Sequence, residues 1–354
     1  MADTSDSSIR CWMKTSHKNR DVVVIGGSAG ALETLRLILA RLPADLPASI
    51  FVTIHIPSDF PSYLPEILSS AGPLKTIHPS DKDPIKKGTI YVAPADYHLL
   101  VEKGCVRISR GPRENRHRPA IDPLFRSAAR SYGNRVIGVI LSGQLDDGSS
   151  GLMAVKMRGG LTIVQSPDEA LSPEMPNNAI AYAKPDQILR AEEIAAFLTQ
   201  AVTEPLRTKN QMQEVPLPNG IEDEAREANL EEESPKKKLG NPSEFACPEC
   251  HGVLWELDEG GHLRFRCRVG HAYTADALRV AMSEGCEDAL WAAMRALEEK
   301  AALLRRMAPR SGEKLAKKYL EEAHGYDKHV ETIRRILVEN QGLEIKEHIQ
   351  TDVA

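Results

Sequence analysis

The sequence predicts an α/β protein: a doubly wound, mostly parallel sheet with helices on both faces, then a small Cys/His module and a C-terminal helical hairpin. Three observations point there. Between Asp21 and Thr203, short β-branched apolar runs alternate with longer stretches of helical periodicity, as in a parallel sheet covered on both faces. Further on, Cys247-x-x-Cys250 and Cys267-x-x-x-His271 fall in a segment too short to bury a core unaided. From Ala275, Leu278, Met282, Leu290, Met294, Leu297, Leu303 and Leu304 recur at helical spacing, and after Pro309 a second such run extends from Lys314 to Glu339.

Residues 1–20 form a polar tail, and 21–203 the main domain. Asp21 to Ile25 is a buried strand, Gly26 to Gly30 a tight turn, and Ala31 to Leu42 a helix with Leu32, Leu35, Leu39 and Leu42 inward. Ser49 to Ile54, Thr89 to Val92, Val136 to Leu141 and Leu161 to Val164 supply further strands, and Ala191 to Val202 a closing amphipathic helix. Residues 204–244 shift to Pro, Glu, Asn and Lys, with Glu231 to Glu233 followed by Lys236 to Lys238, and are expected to be a flexible linker. The Cys/His module occupies 245–274 and the helical hairpin 275–345.

The 354 residues are 42% hydrophobic and 27% charged, enough for one sizeable core and a second, smaller unit. A formal charge of -5 gives no global reason to bind nucleic acid or an anionic membrane. No apolar run approaches the roughly 18 to 20 residues that span a bilayer, and Met1 to Arg20 lacks the apolar core of a secretory signal, so a cytoplasmic location is expected. Of six cysteines, Cys11, Cys105 and Cys286 stand alone while Cys247, Cys250 and Cys267 cluster, which suits thiols or metal rather than a disulfide framework.

Gly26-Gly-Ser-Ala-Gly30 matches Gly-x-Ser-x-Gly with a buried strand before it and a helix after it. Small residues permit a sharp turn that lifts Ser28 clear of the sheet, and the helix N-terminus aims N–H groups at a developing oxyanion. The competing reading is a phosphate-holding turn, but Ser28 stands where the second glycine of Gly-x-Gly-x-x-Gly would lie. A serine nucleophile needs a histidine to take its proton and a carboxylate to orient that histidine. His55 follows one apolar strand; Asp146 and Asp147 follow another, just before Gly148, and either could orient His55. Taken singly, Asp147 could equally cap the helix that begins near Ser149.

Over Asp21 to Leu198 the chain resembles the catalytic domain of the chemotaxis protein-glutamate methylesterases (CheB). The resemblance rests on Ile25-Gly-Gly-Ser-Ala-Gly30, His55-Ile-Pro57, Tyr91-Val-Ala-Pro94 with His98, Asn115-Arg-His-Arg-Pro119 with Asp122, and Leu141-Ser-Gly-Gln-Leu-Asp-Asp-Gly148. It implies a triad of Ser28, His55 and Asp147, with Ala29 and Gln144 at oxyanion or substrate-binding positions, Gln144 through its backbone N–H. Departures fall at Ala29 and Ala31, often Thr and Gly in the family, at Gln144, often Met, and at Asp146, often Asn. The second carboxylate at Asp146 puts the pH profile in question through like-charge repulsion.

The implied activity is hydrolysis of glutamate γ-methyl esters on methyl-accepting chemoreceptors with release of methanol, with glutamine deamidation by the same machinery and no cofactor for catalysis. Arg116 and Arg118 are candidates to dock the acidic surface around a receptor's methylated glutamates, and His117 is the rival base to His55. Family members commonly carry an N-terminal receiver domain; here only about twenty polar residues precede the first strand, so the expected alternatives are constitutive activity, control by a separate regulatory protein and gating by the C-terminal region. Cys247, Cys250, Cys267 and His271 have the layout of a structural zinc ribbon, with His251 and His262 as less well-spaced substitutes. The competing class is a nonenzymatic adaptor, against which Ser28, His55 and Asp147 together weigh.

Overall fold

The computed structural model describes residues 19–56, 62–206, 240–258 and 263–351. Residues 1–18 of the expected tail, Pro57, residues 207–239 of the expected linker and His262 lie outside the described residues. Two compact units divide the chain, Met1–Leu278 and Arg279–Ala354.

The first unit is built on seven strands, β1 (Val22–Gly27), β2 (Ser49–Ile54), β3 (Lys75–Ile77), β4 (Thr89–Val92), β7 (Val136–Ile140), β8 (Leu161–Gln165) and β9 (Gln187–Leu189). They pair in parallel in the order β3-β4-β2-β1-β7-β8-β9. β1 and β2 are buried along their whole length, which is why they read as mostly apolar runs, Ser49 and Thr53 being the polar members of β2. Strand order reverses between β1 and β7, and the crevice at that reversal is where open α/β sheets place their sites.

Successive side chains of β1 feed two cores. Val23 and Ile25 pack with Leu35, Ile38 and Leu39 of α1 (Ala31–Ala40) and Ile194 and Leu198 of α6 (Ala191–Thr203). Val22 and Val24 face α3 (Ile121–Tyr132), α4 (Ser149–Met157) and α5 (Glu174–Ala183). Helices therefore cover both faces, and each fully buried Leu or Ile contributes about 1.5–3 kcal/mol. The short α2 (Leu64–Ser69) precedes β3, and a two-stranded hairpin of β5 (His98–Glu102) and β6 (Cys105–Ser109) leads into the loop before α3.

The Cys/His segment belongs to this same unit. It forms an antiparallel sheet, β10 (Asn241–Ala246), β11 (Val253–Asp258), β12 (Leu263–Cys267) and β13 (Ala272–Thr274), in sequential order. Helix α7 (Ala275–Met307) starts directly after β13. In the second unit, the rest of α7 and α8 (Glu313–Thr351) run antiparallel, tied by Arg334 to Glu298 at 3.3 Å and by Arg305 to Asp327, around buried Ala301, Ala323 and Val330. Among the described residues, no helix is long and apolar enough to cross a membrane.

Candidate active site

Ser28, His55 and Asp147 follow β1, β2 and β7 at the carboxyl edge of the sheet. The turn after β1 requires small residues: a Cβ on Gly27 would lie 2.4 Å from the Ala31 Cβ. Ser28 N–H donates to the Ser142 carbonyl at 2.9 Å, joining the ends of β1 and β7, and His55 N–H donates to the Gly27 carbonyl at 3.2 Å. Main-chain bonds thus draw the three strand ends together.

His55 Nε2 lies 2.8 Å from Asp147 Oδ2, with both side chains almost wholly buried. Asp147 also accepts Ile121 N–H at 2.7 Å, Asp122 N–H at 3.2 Å and the Asn115 amide at 2.9 Å. Two of these donors are first-turn N–H groups of α3, so Asp147 caps α3; the left-handed Gly148, at φ 95°, stands as N-cap of α4. Burial opposes ionisation of Asp147, but the His55 bond and charge, Ile121 N–H and the Asn115 amide outweigh it and hold the carboxyl below the usual range. An ionised carboxylate only accepts, so His55 Nε2 carries a proton, and in the neutral imidazole Nδ1 then holds the lone pair.

His117 stacks on His55 with ring centroids 3.7 Å apart. Burial, and then the neighbouring His55, lower its pKa to about 3, so it stays neutral and covers the His55 ring. The loop carrying it is held at both ends by His98, whose Nε2–H donates to the Pro112 carbonyl at 2.9 Å and whose Nδ1 accepts Ala120 N–H at 3.3 Å. Asn115 and Arg116 adopt left-handed φ values of 49° and 72° there, a conformation that concentrates at functional loops.

The remaining expected residues fall as follows. Ala29 and Gln144 are exposed, Ala29 in the turn leading into α1 and Gln144 between Leu145, whose φ is 59°, and Gly143, where a Cβ would lie 3.0 Å from the Ser28 Cβ. Arg118 is bound inward: its guanidinium donates to Asp96 at 2.6 Å and 2.9 Å and to the Gly111 carbonyl at 2.7 Å, so it braces the loop. Arg116 is half-buried on the same loop. The ligand atoms of Cys247, Cys250, Cys267 and His271 all lie within 4.8 Å of one another.

Sequence reasoning missed Asn115 and Asp122 as partners of Asp147, although both lie in the quoted motifs. Asn115 donates to both carboxylates, reaching Asp122 Oδ2 at 3.2 Å, and Asp122 accepts Gly151 N–H at 2.6 Å. Burial, and then the charge of Asp147, push Asp122 up against the opposing Arg264 and Arg126. Asp146 is also buried and accepts the Thr274 hydroxyl at 2.7 Å. Burial, with smaller contributions from Asp276 and Asp147, raises its pKa to about 6 despite that bond.

A carboxyl whose folded pKa lies above its unfolded one stabilises the protein below the unfolded value, and that contribution is lost as pH rises through about 6. Asp146→Asn keeps an acceptor for Thr274 and removes the ionisation. It is expected to raise thermal stability at pH 8 by at most about 2–3 kcal/mol and to leave stability at pH 4 nearly unchanged. Melting curves of both proteins across that range check it.

The fold is that of an α/β enzyme whose three neighbouring strand ends bring a serine, a histidine and an aspartate to one edge of the sheet. Residues 23–198 match the family model described as CheB methylesterase. A Leptospira interrogans protein named "Putative protein-glutamate methylesterase/protein-glutamine glutaminase" is 39% identical over 178 residues, 50% of this chain and 92% of that relative. The "Protein-glutamate methylesterase/protein-glutamine glutaminase" of Archaeoglobus fulgidus is 36% identical over 196 residues, 53% of this chain and 56% of that relative. The crystal structure of the Thermotoga maritima CheB methylesterase catalytic domain is 33% identical, with a TM-score of 0.49, covering 52% of this chain and 99% of that one. The chain belongs to the CheB methylesterase family, an enzyme family of carboxylic ester hydrolases.

Proposed function

We propose that the protein hydrolyses glutamate γ-methyl esters on methyl-accepting chemoreceptors, with Ser28 as nucleophile, His55 as base and Asp147 as the carboxylate that orients it. The observation that carries this reading is the 2.8 Å bond from His55 Nε2 to a buried, four-donor Asp147. It commits the proton to Nε2 and leaves Nδ1 to accept the Ser28 hydroxyl proton, the reverse of the nitrogen roles in the Ser-His-Asp template.

In the first step Ser28 Oγ adds to the ester carbonyl while its proton passes to His55 Nδ1. The oxyanion takes N–H donors from Ala29 and Gln144, and collapse expels methanol carrying the His55 proton. Water, deprotonated by His55, then cleaves the glutamyl-serine ester and frees the glutamate carboxylate and Ser28. An amide would release ammonia by the same steps, so glutamine deamidation is the companion activity. The steps draw on protein groups alone. A receptor's cytoplasmic helices as substrate imply a cytoplasmic enzyme, with any regulatory protein acting from outside this chain. Arg116, half-buried on the loop before α3, is the candidate to contact acidic receptor surface.

The test is methanol release from methylated chemoreceptor cytoplasmic domains, wild type against His55→Ala. Release by the wild type, reduced by at least about 10³-fold in the variant, is the expected result. No release from several such receptors by folded wild type would overturn the substrate assignment.

A further inference from the structure

The Cys/His sheet meets the proposed site directly. On its outer side the four candidate ligands converge: Cys247 Sγ to His271 Nδ1 is 3.6 Å, Cys267 Sγ to His271 Nδ1 3.5 Å and Cys250 Sγ to Cys267 Sγ 3.5 Å. A tetrahedral zinc with Zn–S near 2.3 Å and Zn–N near 2.0 Å places such ligand atoms roughly 3.5–3.8 Å apart. His271 Nε2 faces Glu249 Oε2 at 3.2 Å, the carboxylate that orients metal-bound histidines from behind. Two backbone knuckles hold the pairs: His251 N–H donates to the Cys247 carbonyl at 2.8 Å and Gly270 N–H to the Cys267 carbonyl at 3.0 Å. Three thiols and one imidazole form a closed, soft donor set suited to structural zinc.

Alternation along β12 and β13 turns the other face toward the parallel-sheet body. Phe265 and Tyr273 pair across the strands, with Phe265 edge-on to Phe245 and Tyr273 Oη 3.8 Å from Cys247 Sγ. Arg264 and Thr274, paired with each other, face the opposite way. Arg264 is wholly buried; Nη1 donates to Ser150 Oγ at 3.1 Å and Nη2 lies 3.6 Å from Glu114 and 3.9 Å from Asp122. Asn115 N–H donates to the Ala272 carbonyl at 2.8 Å, and Thr274 N–H donates to Asn115 Oδ1 at 3.0 Å.

That last bond has a chemical consequence. Because a backbone N–H claims Oδ1, the Asn115 amide must present its NH₂ to Asp122 and Asp147; the flipped amide would set an oxygen against two carboxylates. The ribbon thereby selects the amide orientation that holds Asp147 in place.

We propose that Cys247, Cys250, Cys267 and His271 bind a zinc ion, and that the ribbon it folds is a positioning element for Asp147, acting through Arg264 and through Thr274 on Asn115. The metal claim stands independently; the positioning claim rests on the esterase reading above.

Full-length protein is expected to carry one zinc per chain by elemental mass spectrometry, lost in Cys250→Ser. Arg264→Met is expected to keep the zinc and lower kcat on a methyl ester by roughly tenfold to a hundredfold with KM within about twofold, and Arg264→Lys to recover part of the loss. Amide hydrogen exchange in 112–123 is expected to quicken in wild type stripped of zinc by a chelator, a readout needing neither a variant nor activity. Protein without zinc overturns the metal claim. Unchanged kcat in zinc-loaded Arg264→Met, or unchanged exchange after stripping, overturns the positioning claim. If no ester is cleaved even by wild type, the esterase reading fails, and exchange alone still decides whether the ribbon holds the loop.

Discussion

Ser28→Ala is expected to slow ester hydrolysis by at least about 10⁴-fold without altering the fold. The bonds that form the turn are main-chain ones, Ser28 N–H to the Ser142 carbonyl at 2.9 Å and Ala31 N–H to the Ser28 carbonyl at 3.1 Å, and alanine keeps both. Only the hydroxyl is lost, and with it the acyl intermediate. Residual rate then comes from polarisation of the ester by the Ala29 and Gln144 N–H groups acting on direct water attack. Methanol assays beside a melting curve separate this outcome from unfolding: a chemical step that collapses at unchanged Tm marks the nucleophile, whereas wild-type rates would remove Ser28 from the chemistry.

Asp147→Asn is expected to cost about 10⁴-fold in kcat near neutral pH, and the reason is a tautomer. An amide at this position can donate to His55 Nε2, which moves the ring proton to Nδ1 and leaves no lone pair for the Ser28 hydroxyl. The substitution also changes how stability depends on pH. Asp147 has a depressed folded pKa, so it stabilises above the unfolded carboxylate value and loses that contribution as pH falls through the folded one. Between about pH 5 and pH 2 the variant should therefore show a shallower fall in Tm than wild type. Parallel melts across that range, with kcat measured at pH 7, check both effects.

The elements visible in the sequence were those whose patterns are local. β2 and β4 are mostly apolar strands buried along their whole length, and they fall at Ser49–Ile54 and Thr89–Val92 as their runs predict. The β5–β6 hairpin leaves little local signal, because its strands flank only Lys103 and Gly104 and β6 carries Arg107 and Ser109 among its apolar residues. Ser28, His55 and Asp147 were legible as polar residues ending apolar strands, and the family resemblance chose Asp147 over Asp146. The geometry gives the two aspartates different partners, His55 for Asp147 and Thr274 for Asp146.

What stayed hidden is contact between distant positions. Arg118 looked like an exposed docking group, yet its partner Asp96 lies 22 residues earlier and folds back onto it. Thr274 reaches Asn115 across 159 residues, and Arg264 reaches Ser150 across 114; no spacing rule encodes such pairs. A buried arginine on a short Cys/His segment nevertheless has a physical meaning once seen, since a lone guanidinium is not sequestered from water without carboxylates to meet it.

The most direct test of the account is labelling of the folded, full-length protein with a fluorophosphonate, followed by mapping of the modified peptide. Phosphonylation at Ser28, greatly slowed in His55→Ala and in Asp147→Asn, is the result expected of the proposed triad. Native protein whose Ser28 remains unmodified after prolonged exposure, or is modified equally fast in all three proteins, would contradict it.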